Sequence, residues 1–310
     1  MKKKSHSLRV VLTAVAANGA LAISKFIIAG VGGSSAILSE AVHSLVDTLN
    51  ESLLLIGLRG SKRGPDAAHP FGHGKELYFW SLIVAVLLFG VGGGLSIYEG
   101  VSSVAHPREI RDYGWSYAVL GLAAVFEGSS FVVAVRGLAP RRSHDGIATW
   151  WRRIERSKDP SVFTVFLEDL AALLGIAVAA AGLALHQFFG LRRADGLASI
   201  VIGLLLASVA FVVARESRKL LVGESATPEV VAGIRAAVEA DESVGAVVEL
   251  LTMQMSPEVL LVNVSVYLKT DTDARGVLAA VRRIHDRVRK AQPAAKHVYV
   301  QPFARGADVR

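Results

Sequence analysis

The sequence predicts a membrane α-helical protein, with six transmembrane helices over residues 1–215 followed by a cytoplasmic α-β-β-α-β domain over 216–310. Three observations lead there. Hydrophobic residues make up 52% of the 310 and the mean hydropathy is +0.44, too apolar for an ordinary soluble protein. Apolar windows of about 20 residues, the length that crosses a hydrocarbon core, fall near 12–30, 36–58, 77–99, 115–136, 162–186 and 196–214. From 216 onward the pattern becomes that of a soluble domain, with helical and alternating periods in place of continuous apolar runs.

The first window carries Lys25. It lacks a clear small-residue cleavage site and reaches a full span, so it reads as a helix and not as a cleaved signal. A lysine near a helix end usually snorkels to the interface, but this one is deep enough to pair with a carboxylate such as Glu40. Both readings stand at this point.

The second window contains Ser39-Glu-Ala-Val-His-Ser-Leu-Val-Asp-Thr-Leu-Asn50. An ionisable group at bilayer depth costs about 2.5 kcal/mol or more, and is kept where it faces a protein interior, a water-filled cavity or an ion. His43 and Asp47 are four residues apart, so on a helix they share one face, with Glu40 about a turn before and Asn50 about a turn after. A hydrogen-bonded packing pair returns roughly 0.6 kcal/mol on average in membranes, little against the burial cost. The pairing therefore points to a metal ion. Between the second and third windows, 59–75 is rich in Gly and Pro and holds Asp66, His69 and His73, a second set of donors at ligand spacing.

The fifth window repeats the anomaly with Glu168 and Asp169. One helix cannot surround an ion, whereas His and carboxylate from one helix with carboxylate from another give three or four N/O ligands. Such a set suits tetrahedral zinc best, and Co, Fe or Mn less well. Neighbours on a helix point about 100° apart, so Glu168 is a ligand, a proton-path group or a helix contact. No cysteine is present, which excludes disulfides and thiolate metal sites. In the segment 137–160, Trp150 and Trp151 beside Arg152 and Arg153 read as an interfacial anchor.

In the soluble part a helix is expected at 227–240, strands at 247–254 and 260–268 around the turn at Ser256-Pro257, a helix at 273–291 and a strand at 297–301. A small sheet of this kind tends to bury a surface by pairing, so a homodimerisation or regulatory role is expected for it. Lys and Arg cluster at the N-terminus, in 59–75 and from Arg136 to Lys158, whereas the opposite connections hold Arg108, Arg111, Arg192 and Arg193. The positive-inside bias then puts both termini in the cytoplasm. The net charge of +7 is accounted for by this bias and by contact with anionic lipid, with no nucleic acid implied.

The residues now on the page resemble the cation diffusion facilitator family, zinc transporter type, over nearly the whole chain. The likeness rests on His-x-x-x-Asp in the second span, the acidic pair in the fifth, and the run His69-Pro-Phe-Gly-His-Gly-Lys-Glu76 followed by Leu-Tyr-Phe-Trp80. The Glu-Asp pair looks most like the branch holding the ninth human zinc transporter. The resemblance implies a metallochaperone-like, ferredoxin-like cytoplasmic domain. It also implies metal ligands at His43, Asp47 and Asp169, an accessory loop site at Asp66, His69 and His73 that can hold a bound zinc, and export of the ion from the cytoplasm across an inner cell membrane in exchange for protons. Zinc is then a substrate, and no cofactor is expected. Lys25, Glu40 and Asn50 are expected in the pathway or its support.

The sequence also departs from the family pattern. Many members have His four residues before the fifth-span Asp, where this chain has Val165; Glu168 or water is then the remaining ligand. Positions 248, 265 and 300, where a cytoplasmic metal site would place His, hold Val, Ser and Val. An intramembrane metalloprotease would need His-Glu-x-x-His on a helix, which is absent, so no enzyme is expected. The alternatives are a membrane-anchored metal sensor and an exporter of Mn, Fe or Co.

Overall fold

The computed structural model describes residues 19–138, 158–269 and 273–303. The chain divides into two compact units, one of 1–59 with 77–217 and one of 60–76 with 218–310. In the first unit, α1 (Gly19–Gly32) leads into α2 (Ser35–Ser61). Then follow α3 (Glu76–Ala105), α4 (Tyr113–Leu138), α5 (Pro160–Phe189) and α6 (Ala194–Val222), whose last residues, from 218, fall in the second unit. The tryptophan pair expected to anchor the 137–160 segment lies outside the described residues.

Among the described residues four helices, α3, α4, α5 and α6, are long and apolar enough to cross a membrane. Large apolar side chains such as Phe89, Val125, Phe188 and Phe211 stand exposed on them, which is the face a bilayer covers. α2 has 27 residues, but Glu40, His43, Asp47 and Glu51 dilute its apolar character. Glu40 and His43 are nonetheless buried, so the polar stripe of α2 faces the bundle. α1 is described only from Gly19 and is the shorter apolar helix.

Helix ends follow local chemistry. Asp159 caps α5, accepting from the Ser161 backbone N–H at 3.0 Å, Pro160 occupies the first turn, and Gly190 at φ 67° closes the helix in the left-handed conformation. The start of α2 is capped from another helix: Asp195 of α6 accepts from the Ser35 N–H at 2.6 Å and from the Ser34 and Ser35 hydroxyls. Where α3 meets α6, glycines bring the backbones together. A Cβ on Gly203 would lie 2.8 Å from the Ile97 nitrogen and 2.9 Å from the Gly93 oxygen, and one on Gly100 would lie 2.8 Å from the Gly196 oxygen. This is the small-residue packing that membrane helices use in place of a hydrophobic driving force. Gly93 lies in a π-type turn, Leu88–Gly94, that interrupts α3.

In the second unit the elements are α7 (Pro228–Glu239), β1 (Val244–Ser256), β2 (Val259–Leu268), α8 (Ala274–Ala291) and β3 (Ala295–Phe303). The sheet order is β1-β2-β3, antiparallel between β1 and β2 and parallel between β2 and β3. Val262, Val264 and Val266 of the central strand join Ala280, Ile284 and Val288, which recur every four residues on α8, and Ile234 and Val238 of α7 in one core. Residues 60–76, between α2 and α3 in sequence, pack with residues of this unit. Phe71 meets the His297 ring edge-on at 5.2 Å, the Lys75 ammonium donates to the Leu221 carbonyl at 3.1 Å, and a Cβ on Gly74 would lie 2.6 Å from the Met255 oxygen.

Candidate metal centre

α2 brings His43 and Asp47 to one face, as four-residue spacing requires. His43 Nδ1 lies 3.4 Å from Asp47 Oδ1, with the side chains 1% and 16% exposed. The approach is close but not aligned as a hydrogen bond: both ring nitrogens of His43 and Oδ1 of Asp47 have no hydrogen-bond partner. Unsatisfied buried polar atoms cost roughly 1–3 kcal/mol each. One ring nitrogen beside a carboxylate oxygen that lacks a hydrogen bond is a donor pair suited to a cation.

Asp47 opens onto a cavity of about 210 Å³, whose wall includes Glu127 and Ser130 from α4 and Val165, Glu168 and Asp169 from α5. Two neighbours orient the α5 acids. Ser130 Oγ donates to Asp169 Oδ2 at 2.8 Å, and Asn50 Nδ2 of α2 donates to Glu168 Oε1 at 2.7 Å. Glu168 therefore both touches the cavity and ties α5 to α2, although its backbone direction differs from that of Asp169. Val165, one turn before Asp169, presents only methyl groups.

Lys25 does not reach for the interface. Its ammonium lies 3.2 Å from Glu40 Oε2 and donates to Ser44 Oγ at 2.7 Å, and both charged side chains are fully buried. The pair ties the inner face of α1 to the face of α2 that carries Glu40 and Ser44. Glu40 Oε1 remains without a hydrogen-bond partner.

In the 60–76 segment, Asp66 accepts from the backbone N–H groups of Ala68 and His69 at 2.9 and 2.6 Å, a turn that fixes its carboxylate. His69 Nδ1 lies 3.2 Å from Asp66 Oδ1, and His73 Nε2 lies 3.4 Å from Oδ2. The two rings sit 4.2 Å apart at a tilt of 39°. The His69 backbone N–H, first among several donors and charges, holds the Asp66 carboxyl below its ordinary 3.8. Among the described residues this is the one set of three or more His, Asp or Glu residues whose ligand atoms lie within 4.8 Å of each other. The intramembrane acids border a cavity without closing to that distance.

Sequence reading missed Glu127 and Ser130. The signal for Glu127 was present, an ionisable residue inside the fourth apolar window, and the rule applied to Asp47 and Asp169 covers it equally. Ser130 carries no such signal, because a lone serine in a membrane helix is ordinary.

Fold and site define a multi-pass helical membrane protein with carboxylates and an imidazole buried between its helices. Residues 11–222 match the cation efflux transmembrane domain, and the chain belongs to that family, the cation diffusion facilitators. The human protein called proton-coupled zinc antiporter SLC30A9, mitochondrial, is 36% identical over 239 residues, which is 77% of this chain and 42% of that protein. The matched stretch is thus under half the length of that relative. The manganese efflux system protein MneP of Bacillus subtilis is 25% identical over 76% of each chain. The magnetosome protein MamM of Paramagnetospirillum magneticum is 38% identical over 84 residues, 27% of this chain and 26% of that protein.

Proposed function

We propose that the protein is a secondary transporter, not an enzyme, which moves a divalent cation, zinc by preference, out of the cytoplasm in exchange for protons. The observation that carries this reading is the buried His43–Asp47 pair, without hydrogen bonds at either ring nitrogen or at Asp47 Oδ1, whose carboxylate opens onto a cavity that α5 lines with Asp169 and Glu168. Imidazole and carboxylates bind a metal only when deprotonated. Ion and protons therefore compete for the same atoms, and a site that faces each side in turn exchanges one for the other.

In this reading α1 and α2 join the four strongly apolar helices to make six spans, with both termini cytoplasmic in a bacterial-type inner membrane and the sheet domain pairing two copies. The boundary between the membrane and soluble domains is placed at 215/216. The substrate is the metal ion itself. The trio Asp66, His69 and His73 is an accessory site that holds one further ion.

A second reading, export of manganese or a similar harder ion, is favoured by one specific observation. The cavity wall offers carboxylate and hydroxyl oxygens, with a single imidazole beside them, and oxygen-rich sets suit Mn. The likeness to a protein named for manganese efflux agrees. Proteoliposomes holding a pH dye, challenged in turn with Zn, Mn, Co, Fe and Cd, test both. Ion-dependent proton flux strongest with zinc is expected, a manganese maximum selects the second reading, and ion uptake without proton movement overturns the exchange.

A further inference from the structure

Val165 lines the cavity one turn before Asp169 and has no atom that binds a metal, and Glu168 beside it is engaged by Asn50 Nδ2 at 2.7 Å, so Asp169 is the α5 carboxylate not tied to α2. Across the cavity stands Glu127 of α4, a carboxylate inside an apolar helix. It is half-buried. An acid at that depth is costly unless something polar meets it. Among the described residues Glu127 makes no hydrogen bond or ion pair with the protein.

The placement of Glu127 relative to the ligands is set by contacts on either side of it. Ser130, three residues on and hence on the same face of α4, donates to Asp169 at 2.8 Å. Phe131 stacks on Phe166 of α5 with centroids 5.5 Å apart. These contacts fix the register of α4 against α5, so Glu127 lies about one turn of α4 away from Asp169. The cluster of acids is not the only feature that points to an ion. His43, nine-tenths and more buried, keeps both ring nitrogens unpartnered while its Nδ1 stands 3.4 Å behind the Asp47 carboxylate that opens into this same cavity.

We propose that Glu127 supplies from α4 the metal donor that Val165 cannot supply from α5, making a site shared by three helices. The proposal rests on the intramembrane reading above. It has a consequence for selectivity: where a histidine at the α5 position would give two imidazoles, this chain has one imidazole and an additional carboxylate. A set richer in oxygen tolerates harder ions better, so the same substitution widens the range of metals accepted.

The test is direct binding of Zn²⁺ and Mn²⁺ to the full chain in nanodiscs, in a His69→Ala/His73→Ala background so that the loop does not contribute. Glu127→Gln, close in size and uncharged, is expected to weaken Zn²⁺ binding at least about tenfold, the lower end of what losing even an outer-shell partner costs, and Mn²⁺ binding by more. Adding Val165→His to Glu127→Gln is expected to restore Zn²⁺ binding while leaving Mn²⁺ weak. Unchanged Zn²⁺ affinity in Glu127→Gln overturns the proposal, and so does a loss that Val165→His does not restore, since the role of Glu127 is then structural. Asp47→Ala in the same background separates the two levels: if it retains full binding, the intramembrane site itself is wrong, whereas loss in Asp47→Ala with none in Glu127→Gln removes only the α4 ligand.

Discussion

At the scale of single residues, the His43–Asp47 pair makes the sharpest demand. On the proposed reading Asp47 is one of three or four ligands, so Asp47→Ala is expected to abolish most zinc transport while the protein remains inserted and folded. Wild-type zinc flux in Asp47→Ala proteoliposomes would end the reading. His43→Asp converts the one nitrogen donor into oxygen, so the ratio of manganese to zinc transport is expected to rise; an unchanged ratio would mean that His43 is not a ligand. These two residues were legible because the bilayer makes any buried ionisable group conspicuous in an apolar string. The pairing of Lys25 with Glu40 was not decidable from sequence, since snorkelling and pairing carry the same local signature and only the approach of α1 to α2 separates them.

Another residue-scale expectation belongs to the soluble elements. Asp241, fully buried, accepts from Arg283 Nε at 2.9 Å, with Arg287 Nε 3.6 Å away. The Arg283 guanidinium hydrogen bonds hold its carboxyl below the ordinary 3.8. Because the folded value is depressed, this contribution is complete at neutral pH, persists down to the ordinary carboxylate range, and fades as pH falls through the lowered folded value. Asp241→Ala is expected to destabilise the sheet domain by roughly 3 kcal/mol, the low end for breaking a buried pair because both arginines reach water. Denaturant unfolding at pH 7 and pH 3 checks this: the gap between wild type and variant should narrow at the lower pH.

At the scale of elements, the glycine contact between α3 and α6 is rigid because its obstacles are backbone atoms. Gly203→Val has no space at 2.8 Å from the Ile97 nitrogen, so the helices must separate, at a cost of about 1–3 kcal/mol for overpacking. Gly121→Ala on α4 meets nothing within 4 Å and serves as the control. Thermal unfolding in detergent is expected to show a clear drop for the first and none for the second; equal melting temperatures would show that α3 and α6 are not in such close contact. Helix positions were legible throughout this unit, since each apolar window overlaps an observed helix along most of its length. The glycine register was not, because a lone glycine looks the same whether it is exposed, as Gly121 is, or against another backbone, as Gly203 is. The packing of 60–76 with the sheet domain was equally hidden: sequence order places it between α2 and α3, and only Gly74 against Met255 and Phe71 against His297 reveal its partners.

For the whole molecule, the number of ions bound per chain ties the two units to one measurement. The membrane unit offers the His43–Asp47 cavity and the second unit offers Asp66, His69 and His73. At the three sheet positions where the family resemblance leads one to expect His, Ser265 is buried on β2 opposite Gln301, and Val248 and Val300 carry only methyl groups. The full chain is therefore expected to bind two zinc ions, His73→Ala one, and Asp47→Ala with His73→Ala none, each counted by elemental analysis after gel filtration. The thermal readout should follow the count. A bound ion at a hundredfold excess over Kd stabilises by about 2.7 kcal/mol, so zinc should raise the melting temperature of the sheet-containing unit in wild type through the loop trio and lose that effect in His73→Ala. A zinc-dependent rise in the melting temperature of the sheet-containing unit that survives in the double variant would place a third site in that domain and make it a metal sensor in its own right.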